Sequence, residues 1–148
     1  MKTFFDDDGT LKANATIEQA ESGFLYACGW GRRNVVEFLL NMGIDPGAMN
    51  DQGETGLHWA SVGGDVDIVN LLLDKGAPVE AKEERFGGTP LSWALYGWRQ
   101  PESGSQRERY EGVVARLVKA GATVRSEWLA DDSVKAEPRM LAALTAGR

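Results

Sequence analysis

Glycines and apolar residues recur in this chain at a constant spacing of 33 residues. Equivalent places in two consecutive segments hold similar residue types, and each segment has the order helix, glycine, helix, glycine. The equivalent positions are Gly31 and Gly64, Val35 and Ile68, Leu40 and Leu73, and Gly43 and Gly76. Because a pair of short helices cannot bury its own apolar face, a period of this size predicts stacked units that share one core.

A third copy begins at Thr89 and is interrupted. Gly121, which closes this copy, comes 45 residues after Gly76, so about eleven residues are inserted between its two helices. The insert, near residues 99–110, contains proline, glycine and serine, a composition that predicts an exposed loop. The second helix of this copy is expected to resume only at Val113.

The two ends of the chain differ from the copies between them. The first residues show little periodicity, while Thr16 and Gln19 have the spacing of a capping box at a helix start. The last residues form a degenerate copy, whose polar outer face would cap the stack. The predicted divisions are 1–15 for a lead-in, 16–50 for the first repeat with an N-terminal helix, 51–83 for the second repeat, 84–125 for the third repeat with its insert, and 126–148 for a C-terminal capping repeat.

Charge and cysteine content limit the partners and the compartment. The chain has 148 residues and a formal net charge of −6, whereas a protein that binds a phosphate backbone needs a basic stripe. The single cysteine, Cys28, excludes an internal disulfide and fits a reducing compartment. No apolar run is long enough to span a membrane, and acids follow the short apolar start at Phe5, unlike a signal peptide. We therefore expect a soluble, cytoplasmic protein that binds neither nucleic acid nor membranes.

Two of the copies carry a motif by which a family is identified. Thr55-Gly56-Leu57-His58-Trp59-Ala60 and Thr89-Pro90-Leu91-Ser92-Trp93-Ala94 resemble the Thr-Pro-Leu-His-x-Ala helix start of ankyrin repeats. The resemblance covers roughly residues 16–144. It implies an all-α ankyrin-repeat solenoid of about three helix-turn-helix repeats, with β-hairpin linkers and degenerate terminal caps.

The resemblance also assigns structural roles. The threonine of each motif would cap its helix by accepting a backbone N–H, and the glycines that close helices would take the left-handed conformation. His58, the only histidine, is interpreted as the signature histidine that bonds its own threonine and nearby backbone, rather than as a catalytic base. One histidine and one cysteine in different repeats predict no metal site and no cofactor. The residues with predicted structural roles are Thr55, His58, Thr89, Gly64, Gly76 and Gly121.

Aromatic residues occupy the same register in successive repeats. Tyr26, Trp59 and Trp93 each stand two places after the first apolar residue of an inner helix. In ankyrin arrays that side lines a concave surface, so these side chains either form a binding groove or pack between repeats, and the sequence leaves both interpretations open. The residues predicted to contact a partner are Tyr26, Trp30, Gln52, Glu54, Trp59, Val62, Arg85, Phe86, Trp93, Tyr96 and Trp98.

The resemblance and the aromatic register predict a monomeric, non-catalytic module that binds another protein through the groove and the hairpin tips. A first alternative is an enzyme or small-ligand binder, which a closed pocket between Trp93, Trp98 and the insert, holding a carboxylate of shifted pKa, would favour. A second alternative is an acidic immunity or inhibitor protein that masks a basic target. The polar groups available to the first alternative are Glu102, Arg107, Glu108, Arg109 and Glu111.

Overall fold

The computed structural model describes residues 17–146, so the predicted lead-in and the cap at Thr16 lie outside the described part of the chain. Helices come in consecutive pairs, as the repeat pattern predicts. The pairs are α1 (Ile17–Gly29) with α2 (Arg33–Asn41), α3 (Gly56–Val62) with α4 (Val66–Asp74), and α5 (Pro90–Arg99) with α6 (Arg107–Lys119). Three short helices follow, α7 (Ser126–Ala130), α8 (Asp132–Lys135) and α9 (Pro138–Leu144). This architecture confirms the predicted all-α repeat fold.

The helices stack in two rows that share one core. Helix α3 packs between α1 and α5, and α4 packs between α2 and α6. Ala27, Ala60 and Ala94 are fully buried on the inner helices, where their small side chains let neighbouring backbones approach. Gly56 stands where the family motif has proline, and a Cβ at this position would lie 2.9 Å from the Cys28 Sγ. Close packing of α3 against α1 therefore explains the departure from the motif.

Turns connect the helices and the repeats. Gly64, between α3 and α4, has a φ of +70°, and Gly76 and Gly121, which follow α4 and α6, have φ of +87° and +105°, values that favour glycine. The linkers contain less β-structure than the predicted β-hairpins. In residues 17–146 extended pairing is limited to an isolated antiparallel bridge between Met49 and Thr55, and α3 begins directly after Thr55.

The insert in the third repeat is more regular than predicted. Residues Pro101–Gln106 form a 3-10 helix, and α6 begins at Arg107 instead of Val113. Tyr110 provides the physical reason, because its side chain is buried and its hydroxyl donates a hydrogen bond to the Val62 carbonyl at 2.8 Å. Burial and this bond stabilise helical turns that the polar composition assigns to a loop.

The C-terminal helices close the stack. Met140 and Leu144 of α9 are fully buried, and α9 packs along α6. The Arg139 guanidinium lies 2.7 Å from the Glu108 carboxylate, but both side chains are largely exposed, and such pairs contribute little to the free energy of unfolding. Apolar burial is therefore the main contribution that holds α9 against the last repeat.

Candidate functional site

Three clefts lie side by side along the inner helices and the linkers that precede them. The first, of about 330 Å³, lies between α1 and α3. The central cleft, of about 510 Å³, lies between α3, α5 and the loop of residues 83–88, and the third, of about 400 Å³, lies beside α5 and the insert. Trp59 lines the first and central clefts, while Val62 and Tyr96 line the central and third clefts. Because of these shared residues the three clefts form one continuous surface, which we call the groove.

The groove brings together most of the residues that the sequence predicts to contact a partner. Those in the first cleft are Tyr26, Trp30 and Trp59. Those in the central cleft are Glu54, Trp59, Val62, Arg85, Phe86, Trp93 and Tyr96. Gln52 does not line these clefts, and its carbonyl accepts a hydrogen bond at 2.8 Å from the Glu84 N–H, so that it joins two consecutive linkers.

Trp98 is fully buried, and the prediction that it contacts a partner is therefore wrong. It follows Tyr96 by two positions on α5, and two helical positions are separated by roughly 200° around the axis. Tyr96 is 63% exposed, whereas Trp98 meets α6, where the Arg107 guanidinium lies 4.7 Å from the centroid of its ring. Trp98 thus holds α5 against α6, and Tyr96 is left on the groove.

Trp59 and Trp93 both pack against neighbouring rings and line the central cleft. The rings of Trp59 and Trp93 meet edge to face, with centroids 5.3 Å apart and an interplanar angle of 83°. Trp93 also meets the His58 ring at 4.9 Å. Both indoles are half-buried and line the central cleft. Packing between repeats therefore accounts for part of each indole, since edge-to-face contact fixes the rings, while the rest of each ring remains accessible at the cleft.

His58 links α3 to the next repeat. The Thr55 N–H donates to its Nδ1 at 3.1 Å, and the Thr55 hydroxyl accepts from the His58 N–H at 3.3 Å, which makes a capping box. Since Nδ1 accepts, the hydrogen-bond network places the proton of the neutral ring on Nε2, which donates to the Gly88 carbonyl at 2.8 Å. Burial lowers the pKa of His58, although the Gly88 bond opposes this effect. With no exposed surface and both nitrogens engaged by Thr55 and Gly88, His58 makes the contacts to its own threonine and nearby backbone that the resemblance implies.

Glu83 is a charged residue of the groove that the sequence analysis does not identify. It is only 2% exposed and lines the central cleft. Burial alone would raise the pKa of its carboxyl, but backbone N–H groups, chiefly those of Gly88 and Phe86, outweigh that effect and lower the pKa. Gly88 donates to Oε1 at 2.9 Å and Phe86 donates to Oε2 at 3.0 Å. The ionised carboxylate thus shapes the 83–88 loop and projects Phe86, which is 82% exposed. The only feature of the sequence that could have indicated this role of Glu83 is the Gly87-Gly88 turn that follows it.

The first cleft carries a second aromatic pair. Tyr26 is on α1 and Trp30 directly follows its last residue, where the Trp30 N–H still donates to the Tyr26 carbonyl at 3.0 Å. Their ring centroids lie 5.8 Å apart with an interplanar angle of 38°. Both are well exposed. Because side chains four positions apart share one face of a helix, this pair extends the aromatic surface of the groove from Trp59 toward the N-terminal end of the described chain.

The polar side chains that a catalytic site near the insert would use lie mostly outside the groove. Arg107 lies 3.3 Å from the Glu137 carboxylate, and Glu108 pairs with Arg139. Burial raises the pKa of Glu111, whose charged neighbours are on α6 and in the C-terminal segment. Of this set, Glu102 alone lines a cleft of the groove. Trp93 lines the central cleft and Trp98 does not, so a pocket between these two residues and the insert, which would favour an enzyme, is not among the three clefts of the groove.

Other sites for chemistry are equally unsupported within residues 17–146. In that range no three or more His, Cys, Asp and Glu side chains are grouped so as to hold a metal ion. Cys28 is buried, and burial raises the pKa of its thiol to about 12, so the nucleophilic thiolate is scarcely populated near neutral pH. Among the described helices, none combines the length and apolar character required to cross a bilayer.

Residues 24–127 match the sequence model of ankyrin repeats, in three copies. The chain belongs to the ankyrin repeat family. The matched segment begins within α1 and includes the rest of the three helix pairs and the aromatic residues of the groove. Ankyrin repeats are generally protein-interaction modules.

Several longer proteins contain segments that are similar to this chain. Palmitoyltransferase Hip14 of Drosophila melanogaster is 33% identical over 113 residues, which cover 75% of this chain and 16% of that protein. Protein PhlB of Serratia liquefaciens is 34% identical over 67 residues, or 45% of this chain and 30% of PhlB. Human palmitoyltransferase ZDHHC17 is 34% identical over 84 residues, or 57% of this chain and 12% of that protein. This ankyrin chain thus matches less than a third of each relative's length, and the similarity to the transferases runs through their ankyrin repeats.

Proposed function

We propose that the groove binds an extended segment or a surface of another protein and carries out no catalysis. The observation that supports the proposal is the continuity of three aromatic-lined clefts along the inner helices, from Trp30 to Tyr96. Exposed aromatic side chains supply large contact area at low conformational cost and are enriched where proteins bind each other. The rings of Trp59 and Trp93 are held in place by mutual contact, which reduces the entropy lost on binding.

The absence of catalysis is proposed on chemical grounds. Of the usual nucleophiles and bases, His58 and Cys28 are buried. The Glu108 and Glu137 carboxylates are engaged in ion pairs with Arg139 and Arg107. A catalytic base requires a positioned reacting partner within hydrogen-bond reach. The predictions of a cytoplasmic location and a monomeric state stay predictions.

A capture experiment tests the proposal with variants at exposed positions, where folding is not at risk. The groove variant combines Tyr26→Ala, Phe86→Ala and Tyr96→Ala, and the matched control combines Phe38→Ala and Met42→Ala, two exposed apolar residues of α2 and its C-terminal end outside the groove. We expect at least one protein to be recovered from the host lysate by the wild type and the control but not by the groove variant. Recovery of the same proteins by all three, with unchanged circular dichroism, would reject the groove as the binding surface.

A further inference from the structure

We propose that the central cleft takes an arginine side chain presented by the bound protein segment. This inference rests on the proposed function and adds the chemistry of the residue that enters the cleft.

The charge of the central cleft is negative and only partly compensated. Glu83 is ionised and nearly buried, and Glu54 lies half-buried at the same cleft. Neither carboxylate belongs to an ion pair that the described residues form. His58, which contacts the 83–88 loop, is held neutral by burial. Because two carboxylates face one cleft of low local dielectric, a cation is attracted there more strongly than at the open surface.

One cation is already close to the cleft but does not neutralise these groups. Arg85 is the only basic residue among those that line the central cleft. Its guanidinium lies 5.5 Å from the centroid of the Phe86 ring and forms no ion pair within residues 17–146. The contact shows that a guanidinium and an aromatic ring associate at this rim. Glu83 is nearly buried and its oxygens accept backbone N–H groups, so it supplies negative charge rather than a contact. Glu54, whose Oε1 accepts from Asn50 Nδ2 at 2.7 Å, has no cationic partner among the described residues and is the carboxylate that a guanidinium from outside would contact.

The aromatic lining favours arginine over lysine. The cleft of about 510 Å³ is lined by Trp59, Trp93, Tyr96 and Phe86. A guanidinium is planar and weakly hydrated, so it stacks on such rings and still donates to a carboxylate, whereas an ammonium group is compact and holds its water strongly. The net charge of −6 attracts a basic segment over longer distances. Charge and ring chemistry therefore point to the same side chain.

Three short peptides test the assignment. The first is acetyl-Gly-Gly-Arg-Gly-Gly-amide, and the second has neutral citrulline in place of arginine, so that the two differ in charge. The third carries lysine in place of arginine. Binding is followed by the indole N–H signals of Trp59 and Trp93 in two-dimensional NMR, assigned by Trp→Phe variants. We expect saturable shifts of both signals with a dissociation constant of about 1 mM for the arginine peptide, at least about tenfold weaker binding for citrulline, and several-fold weaker binding for lysine.

Matched variants locate the effect in the cleft. Glu54→Gln is expected to weaken the arginine peptide about threefold to tenfold, while Glu37→Gln, which removes the same charge from α2 outside the groove, leaves the affinity within about twofold. Arg85→Gln is expected to raise the affinity about twofold, since it removes a like charge from the rim.

Several results would overturn the inference. Equal affinity for arginine and citrulline would mean an apolar groove, and equal affinity for arginine and lysine would mean attraction without guanidinium recognition. Absence of shifts at Trp59 and Trp93 up to about 10 mM peptide, ten times the expected constant, would exclude an arginine site, as would weaker binding by Arg85→Gln. None of these results rejects the groove as a protein-binding surface, which the capture experiment tests separately.

Discussion

Gly97, inside α5, is a residue at which tertiary contacts should reverse the effect expected from helix propensity. Alanine is preferred over glycine in a helix interior by about 1 kcal/mol, so Gly97→Ala would stabilise an isolated α5. In the folded protein a Cβ at this position would lie 2.5 Å from Cε1 of Tyr110 and 2.8 Å from the Val62 carbonyl oxygen. The same tyrosine hydroxyl donates to that carbonyl, so one added methyl group disturbs both partners of a hydrogen bond.

The magnitude follows from these contacts. The tyrosine ring can rotate away, but the Val62 oxygen belongs to the backbone of α3, and relieving such overpacking costs about 1–3 kcal/mol. Loss or lengthening of the hydrogen bond adds about 1 kcal/mol. After the propensity gain of about 1 kcal/mol is subtracted, we expect Gly97→Ala to lower the free energy of unfolding by about 1–3 kcal/mol.

Urea denaturation followed by circular dichroism at 222 nm measures this difference. Gly112→Ala on α6 is the matched control, because its Cβ would meet a single methyl group, Cγ2 of Val66 at 3.2 Å, and no backbone atom of another element. We expect a change of at most about 1 kcal/mol. In a Tyr110→Phe background, which already lacks the hydrogen bond, the cost of Gly97→Ala should shrink by about 1 kcal/mol. A Gly97→Ala protein as stable as the wild type, or more stable, would refute the reasoning.

Two further predictions concern titratable groups. His58 has a lowered pKa in the folded state, so the unfolded chain binds more protons below the ordinary histidine pKa of about 6.5. The free energy of unfolding should therefore fall as the pH drops from 7.5 to 5.5, and this pH dependence should vanish in His58→Gln. An unchanged pH dependence in the variant would assign the effect to other groups. Cys28 is buried, and its pKa is raised to about 12. Its thiol should therefore react with Ellman's reagent in urea but hardly at all in the native protein at pH 8. Rapid reaction of the native protein would contradict the burial of Cys28.

The sequence and the structure agree best where a local pattern has a local cause. Thr55 accepts a hydrogen bond from the His58 N–H, and Thr89 accepts one from the Ser92 N–H at 3.3 Å, as expected for threonine at helix starts. The glycine at 64 has a positive φ, as expected where a helix turns back. Such features depend on a few neighbouring residues, and the same residue pattern recurs in more than one copy of the motif.

The predictions that failed depend on contacts between distant residues. Trp98 and Tyr96 have similar character and stand two positions apart, yet the first is buried against α6 and the second is on the groove. Composition assigned Arg107 to a loop, whereas the burial of Tyr110 under α3 makes this segment the start of α6. Neither outcome follows from periodicity, because each depends on which helix packs against α5 after the insert.

The sequence by itself determined the period, the glycine turns, the helix starts and the family, since all of these recur in each copy and follow from local backbone preferences and a shared apolar face. Tertiary structure alone decided which aromatic rings remain accessible and how the charge of the central cleft is arranged. Glu83 shows the reason. Its carboxylate is kept ionised by backbone N–H groups of a loop that closes on it, and no residue pattern reports where those N–H groups will point until the repeats have stacked.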